Sequence, residues 1–499
     1  MKQINEYCGI FGIYNGRDAA HKIYFGLHAL QHRGQESCGI VTSTFDENRQ
    51  KQVMPVHKGR GLVLDVFKDP DLFVSKLLGT KGIGHNRYST SGSSDNQSNF
   101  QPFVVAYRNG NLAIAHNGNI SNARELRKAF SERGTIFQST SDTELILHLI
   151  AQSRRQKQID QILDALTQLE GAFSLVMLTD DALIAVRDPN GFRPLALGRF
   201  ENTASTGEPS YCVASETCAF DMIGATYVRD VEAGEVLIID DQGCRSGDFT
   251  SFHLPRNFGV SQCVFEYVYF SRPDSQIFGA MVDKVRRKIG KQLAHDAPVP
   301  STRKHDRKPI VISVPDSSNT AALGYVSECR KLGQDCKYEI GLIRNHYVGR
   351  TFIAPGQNSR EQKVRSKFNT VSGVLKDRVV VIVDDSIVRG TTAQALVGMV
   401  RAAGAREVHF RVASPMVISP CFYGMDFPDP KELVANRFDQ DPQKIGAWLG
   451  VDSLEYLSHE GLLAAVRASS STDGFCSACF SGIYPVPVEL GVTKDENDW

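Results

Sequence analysis

The sequence has no net charge to speak of: 56 Lys and Arg are balanced by 56 Asp and Glu. No overall field draws the chain onto nucleic acid or an anionic membrane, so neither is an expected partner and any anion site must be local. Long apolar runs are also missing. The strongest, VVVIV at 379–383, is far too short to cross a bilayer. The opening MKQINEY lacks the apolar core of a secretory signal, which makes the cytoplasm the expected compartment. Without a fixed-period repeat or a low-complexity tract, solenoids and disordered arms are not expected. Cysteine is present, but as an odd eleven scattered over 499 residues, not as the dense framework of a small disulfide-stapled domain. Free thiols, with a metal site among them, are the better expectation. A chain of this length exceeds one ordinary core, and a soft prior of about 150 residues per domain predicts two to four units.

What is there divides near residue 255. Before it, CGIFGIY, SCGIVTST, LAIAHNG, FSLVMLTD, ALIAVRD, YCVASE and EVLIIDD read as short strands between Gly and Asn turns. IYFGLHALQHRG, with Ile23, Phe25, Leu27 and Leu30, and SDTELILHLIAQS, with Leu145, Leu147, Ile150 and Ala151, read as helices. GDFTSFHLPRNFG reads as a connection. Beyond it, PIVISVPDSSN and RVVVIVDDSIVRGTT are strands running into loops. AQALVGMVRAAGA then places Ala393, Leu396, Val397 and Val400 on one helical face before Gly404 stops it, and EVHFRVASP is a further strand. Strand, loop, helix, strand is the unit of a parallel sheet, whose ligands sit at the carboxyl ends of the strands.

VVVIVDDSIVRGTT is the most specific of these stretches. An apolar strand delivers Asp384 and Asp385, and Ser386, Arg389, Gly390, Thr391 and Thr392 turn into a helix. Backbone N–H groups and hydroxyls at a helix N-terminus suit a phosphate, and paired carboxylates just ahead suit sugar hydroxyls or a divalent cation. The stretch resembles the phosphoribosyl-pyrophosphate (PRPP) motif of type I phosphoribosyltransferases. The resemblance implies Mg2+ at Ser318, Asp384 and Asp385, and a basic loop over pyrophosphate carrying Arg350, Arg360, Lys363, Arg365 and Lys367.

The first half carries a second resemblance. CGIFGIY, QHRGQESCGI, GIGHNRYST, IAHNGNI and TSDTE follow the order of the N-terminal-nucleophile (Ntn) glutamine amidotransferases. In that class the nucleophilic cysteine must be residue one, because its own α-amine, of ordinary pKa near 8, is the general base. The resemblance therefore implies removal of residues 1–7 to expose Cys8, although the leader ends Glu6-Tyr7 where family leaders often end in an acidic pair. It further implies an oxyanion hole at Asn117 and Gly118, Arg87 on the glutamine α-carboxylate, Asp142 on its α-ammonium, and Arg33 orienting the nucleophile.

One family joins the two halves in this order, the glutamine PRPP amidotransferases, which the chain resembles over roughly residues 8–485. The expected fold is α/β: a four-layer αββα Ntn-hydrolase domain at 8–255 and a type I phosphoribosyltransferase parallel-sheet domain at 256–450, with a propeptide at 1–7 and a helical tail at 451–499. The implied reaction turns glutamine, PRPP and water into 5-phosphoribosylamine, glutamate and pyrophosphate, the first committed step of purine synthesis, with Tyr269 in CVFEYVYFSRPDS coupling the sites. Purine nucleotides as feedback inhibitors and a homotetramer are implied in the same way.

CSAC at 476–479 alone is compatible with redox chemistry, zinc or neither. The branch of the family with a cleaved leader binds a [4Fe-4S] cluster, and its contexts match Cys263, Cys421, Cys476 and Cys479; tetrahedral zinc is the alternative. Two other readings stand beside the enzyme. A PRPP-sensing regulator would need no amide site and should be basic. An Ntn glutaminase feeding another acceptor would have no use for VVVIVDDSIVRGTT.

Overall fold

The computed structural model describes residues 8–88, 97–201, 208–255, 258–300, 307–345, 366–425, 427, 429–470, 472 and 474–488. GIFGIY has no polar position, and it becomes the wholly buried strand Gly9–Tyr14, paired antiparallel with Ser210–Ala214 on one side and Lys81–Arg87 on the other. Gly12 is required there, because a Cβ would lie 2.7 Å from Val176 in the facing sheet. That facing sheet has six strands, with Leu183–Arg187 and Gly171–Thr179 at its centre and Gly110–Ile120 paired to the latter.

Ile10, Val41, Ile83 and Val213 of the first sheet meet Ala115, Val176, Ala185 and Leu237 of the second in one core. The outer face of the first sheet is covered by the helices Ala19–Ala29 and Cys218–Ile223. Helices Thr143–Gln152 and Gln158–Leu166 cover the second. Helix, sheet, sheet, helix is the four-layer arrangement the sequence predicts. Within these helices, Phe25 is 45% exposed and Ala151 is exposed. Phe25 sits about 200° around the helix from Ile23, and Ala151 lies in the last turn at the helix's open end. The stretch read as a connection contains a strand, Thr250–His253, paired with Glu235–Ile239. All four of its residues are exposed, so no apolar alternation announced it.

The second half is built on five parallel strands in the order Lys337–Tyr338, Ile310–Ser313, Val379–Asp384, Glu407–Val412 and Ser453–Tyr456. The sheet continues past 450, where the tail was expected to begin, because SLEY is too short and polar to read as a strand. In chain order the strands lie 2-1-3-4-5, so the direction of winding reverses between Ile310–Ser313 and Val379–Asp384. A crevice opens at such a point, outside the carboxyl ends of the two strands. CVFEYVYF forms the two-residue strand Gln262–Cys263 and then a single π-helical turn, Glu266–Phe270, packed between the halves. No helix among the described residues is long and apolar enough to cross a membrane.

Candidate active sites

Cys8 heads the strand Gly9–Tyr14, buried, with its thiol 3.6 Å from the carbonyl oxygen of Tyr88. Burial pushes the thiol up to about 11, opposed by the Tyr88 contact and the Arg87 charge and reinforced by the Asp142 charge. At pH 7 a thiol of that pKa is ionised in roughly one molecule in 10⁴, so it needs a base to act. Arg33 Nε donates to the Cys8 carbonyl at 3.3 Å.

The second sheet supplies Asn117 and Gly118 on the strand Gly110–Ile120. Any side chain at 118 would lie 2.0 Å from the carbonyl oxygen of Ala172. The Asn117 side chain is fully buried, and neither its Nδ2 nor its Oδ1 has a hydrogen-bond partner among the described residues. Such a group loses solvation without compensation unless a ligand supplies the partner. His85 and the His116 carbonyl oxygen, 3.1 Å apart, tie the two sheets together here; burial drives His85 down to about 3, so the ring is neutral and donates from Nε2. Asp142 Oδ2 accepts from the Ile120 N–H at 3.1 Å, and Oδ1 lies 3.5 Å from His116 Nδ1. Burial alone would raise this carboxyl, but His116 and the donors at Ile120 and Thr143 hold it below the usual range.

At the reversal point of the parallel sheet, Ser318 Oγ donates to Asp384 Oδ1 at 3.1 Å and reaches Asp385 Oδ2 at 3.4 Å. Ser386 Oγ donates to Asp385 at 2.8 Å. Burial raises both carboxyls, Asp384 further because of the Asp385 charge beside it. Two buried acids that resist ionising together are a donor set a divalent cation would relieve. Gly390, at φ 75°, turns the loop into the helix Thr391–Ala402; a Cβ there would meet Trp448 at 2.6 Å. Thr391 and Thr392 open that helix beside its free N–H groups. Arg389 Nε donates to Glu432 Oε2 at 2.8 Å. Arg350, Arg360, Lys363 and Arg365 lie outside the described residues, as do residues 1–7. Tyr269 is half-buried on the π-helical turn, its ring 6.3 Å from Phe265.

Cys263 pairs in register with Cys476, and the Cys479 carbonyl accepts from the Ile418 N–H at 2.9 Å, near Cys421. Burial raises Cys263 to about 11 and lifts Cys476 and Cys479 well above the ordinary thiol value, and the neighbouring thiols add to each shift. The four cysteines therefore converge. Among the described residues, no three or more His, Cys, Asp or Glu form a group that could hold a metal ion.

Sequence reasoning named Arg33 but missed the other charged residues between the sites, Glu216, Glu266, Arg193 and Arg286. Arg33 bonds Glu216, and its Nη2 lies 2.9 Å from Glu266 Oε1. Arg193 joins the same Glu266 oxygen at 3.2 Å. Arg286 donates to the carbonyls of Tyr267 at 2.7 Å and Ser271 at 2.8 Å, and reaches that of Ser317 at 3.5 Å, next to Ser318. A lone Glu in the aromatic run FEYVYF was the available signal, since a buried acid requires a cationic partner.

Residues 85–221 match a family model described as a glutamine amidotransferase domain. The chain is similar to the amidophosphoribosyltransferase of Bacillus subtilis, at 44% identity over 98% of this chain and 96% of that protein. It is also similar to that of Methanocaldococcus jannaschii, at 44% over 97% and 98%. Among solved structures it superposes on an allosteric regulatory enzyme of purine biosynthesis with a TM-score of 0.85 at 42% identity, covering 98% of both chains. The glutamine PRPP amidotransferase of B. subtilis in complex with ADP and GMP gives 0.85 at 43%, covering 98% of this chain and all of that one.

Proposed function

The chain belongs to the amidophosphoribosyltransferase family, and from that premise we propose which residues carry each half of the reaction. The activity is glutamine-dependent amidophosphoribosyl transfer in purine biosynthesis: glutamine, PRPP and water give 5-phosphoribosylamine, glutamate and pyrophosphate. Residues 8–255 hydrolyse glutamine and the following domain transfers the phosphoribosyl group. One observation carries the amide half: the buried Cys8 heads one sheet, while on the facing sheet the fully buried Asn117 side chain has no hydrogen-bond partner among the described residues. The α-amine of Cys8 is the general base once residues 1–7 are removed, since the peptide bond to Tyr7 otherwise abolishes it. The thiolate adds to the glutamine carboxamide, and the Asn117 side chain and the Gly118 N–H hold the developing oxyanion. Arg87 and Asp142 fix the α-carboxylate and α-ammonium; the tetrahedral adduct collapses to a thioester as its protonated nitrogen leaves as ammonia, and water hydrolyses the thioester to free glutamate and the thiol.

Ammonia then attacks C1 of PRPP as pyrophosphate leaves. We assign the 5-phosphate to Ser386, Arg389, Gly390, Thr391 and Thr392 at the helix start, and pyrophosphate to Arg350, as the resemblance implies. Ser318, Asp384 and Asp385 are the groups that would hold Mg2+, which when bound neutralises pyrophosphate charge. Cys263, Cys421, Cys476 and Cys479 would hold a [4Fe-4S] cluster, a structural tie between three segments. A cluster of this type gives each iron one thiolate, so four cysteines are its usual complement; tetrahedral zinc is the alternative occupant. Purine nucleotides as inhibitors, by analogy with the ADP and GMP bound to the B. subtilis relative, a homotetramer and a cytoplasmic location complete the reading.

Native mass spectrometry of anaerobically purified protein, with turnover measured on the same sample, tests it. The expected chain starts at Cys8, carries the mass of one cluster, and loses glutamine-dependent but not ammonium-dependent product in Cys8→Ala. A fully glutamine-active chain that still starts at Met1 would overturn the assignment of base and nucleophile.

A further inference from the structure

The short loop Cys421–Tyr423 touches both halves of the glutamine site. One contact is direct. Asn119 Nδ2 donates to the Phe422 carbonyl at 2.8 Å, and Asn119 immediately follows Gly118. The other runs through charged side chains. Arg193 Nη2 donates to the Tyr423 carbonyl at 2.7 Å, and its Nε to the same oxygen at 3.2 Å. Arg193 Nη1 donates to Glu266 Oε1 at 3.2 Å, the same carboxylate accepts from Arg33 at 2.9 Å, and Arg33 donates to the Cys8 carbonyl. The loop is itself braced. Phe192 stacks on Tyr423 with centroids 4.2 Å apart, and the Tyr423 hydroxyl donates to the Val486 carbonyl and accepts from the Val486 N–H at 3.0 Å.

We infer that Asn119 and Tyr423 are positioning residues for glutamine hydrolysis, acting through the loop Cys421–Tyr423, which sets the oxyanion strand against the nucleophile. The strand Gly110–Ile120 ends one residue beyond Asn119, where ladder pairing stops and a side-chain tie decides where the backbone lies. Its neighbour Ile120 is held by Asp142, so the Asn119 tie fixes the side facing the other domain. Oxyanion donors act over about 2.7–3.1 Å, and a misplacement of about 1 Å costs on the order of 10²-fold. Nothing in this contact touches substrate, so its loss falls on kcat for glutamine and spares the transfer of added ammonia.

The inference rests on the reading of Cys8, Asn117 and Gly118 given above, and the test separates the two. Full-length Asn119→Ala, Tyr423→Phe and Cys8→Ala are assayed beside the wild type, each with glutamine and with ammonium as nitrogen source. Asn119→Ala is expected to lower glutamine-dependent kcat by about tenfold or more, with KM for glutamine and the ammonium-dependent rate unchanged. Tyr423→Phe keeps the stacked ring and loses only the hydroxyl, so it should show the same split with a smaller drop, and it decides the matter if Asn119→Ala does not fold. Equal loss of both rates, a change in KM alone, or no change in either variant overturns the positioning role. Glutamine turnover surviving in Cys8→Ala would instead overturn the reading of the site itself.

Discussion

Arg33 has no solvent exposure, and its guanidinium stands between Glu216 and Glu266, both equally buried. It also lies over the Phe270 ring, 4.6 Å from the centroid. A buried pair of this kind owes little net stability to its charges, yet removing one member leaves the others uncompensated, at about 3–5 kcal/mol. Arg33→Met, which keeps the apolar stem and removes the charge, is therefore expected to lower unfolding free energy by about that amount, read from urea denaturation. The pH dependence has a definite sign. Burial alone would raise Glu216 and Glu266, but His32 and Arg33 around the first, and Arg33 and Arg193 around the second, hold both below the ordinary glutamate value of 4.5. Their contribution is whole above that pH and is lost as the pH falls below it. The urea midpoint of the wild type should drop steeply on acidification below 4.5, and that of Arg33→Met should drop less.

The helix Thr143–Gln152 shows how an element places a ligand group it does not itself contain. Asp142 sits at its N-cap without a side-chain capping bond, so the preceding loop must be fixed by other means. Glu144 does so: its carboxylate accepts from the Gln138 N–H at 2.8 Å and from the N–H and hydroxyl of Ser139 at 2.8 and 2.6 Å. Burial alone would raise Glu144, but His148 and those donors bring it down to about 2. Glu144→Gln should cost about 1–3 kcal/mol in thermal or urea unfolding and raise KM for glutamine more than it lowers kcat, because Asp142 is read as a binding group. The same helix marks what sequence could show. Its start and its buried Leu145, Leu147 and Ile150 were legible because local order and periodicity specify them, whereas Cys8 and Asn117 were singled out only by the resemblance their motifs carry. Thr250–His253 and Ser453–Tyr456 were not, since their strand character comes from neighbours supplied by distant parts of the chain. Glu266 and Arg193 were hidden for a related reason: a buried ion pair has no spacing rule, and its partners come together only in the folded chain.

At the scale of the molecule, the residues proposed for the amide site lie where two antiparallel sheets meet, and those proposed for the acceptor site lie at the reversal point of a parallel one. The turn Glu266–Phe270 is held from both sides, by Arg33 and Arg193 on Glu266 and by Arg286 on the carbonyls of Tyr267 and Ser271. Arg286 also reaches Ser317 of the acceptor loop. An amide nitrogen freed at Cys8 and released to water would be protonated and lost as a nucleophile. If it instead passes within the fold past this turn, glutamine nitrogen and bulk ammonium do not mix. With amide-¹⁵N glutamine and an excess of unlabelled ammonium, phosphoribosylamine, trapped as it forms, should carry ¹⁵N well above its share of the mixed pool. Asp384→Asn, which touches only the acceptor site, should still release ¹⁵N-ammonia from glutamine while making little product from either source. Label in the product at the bulk ratio would mean that ammonia equilibrates with solvent between the sites, and that the turn Glu266–Phe270 joins the domains without guiding what passes between them.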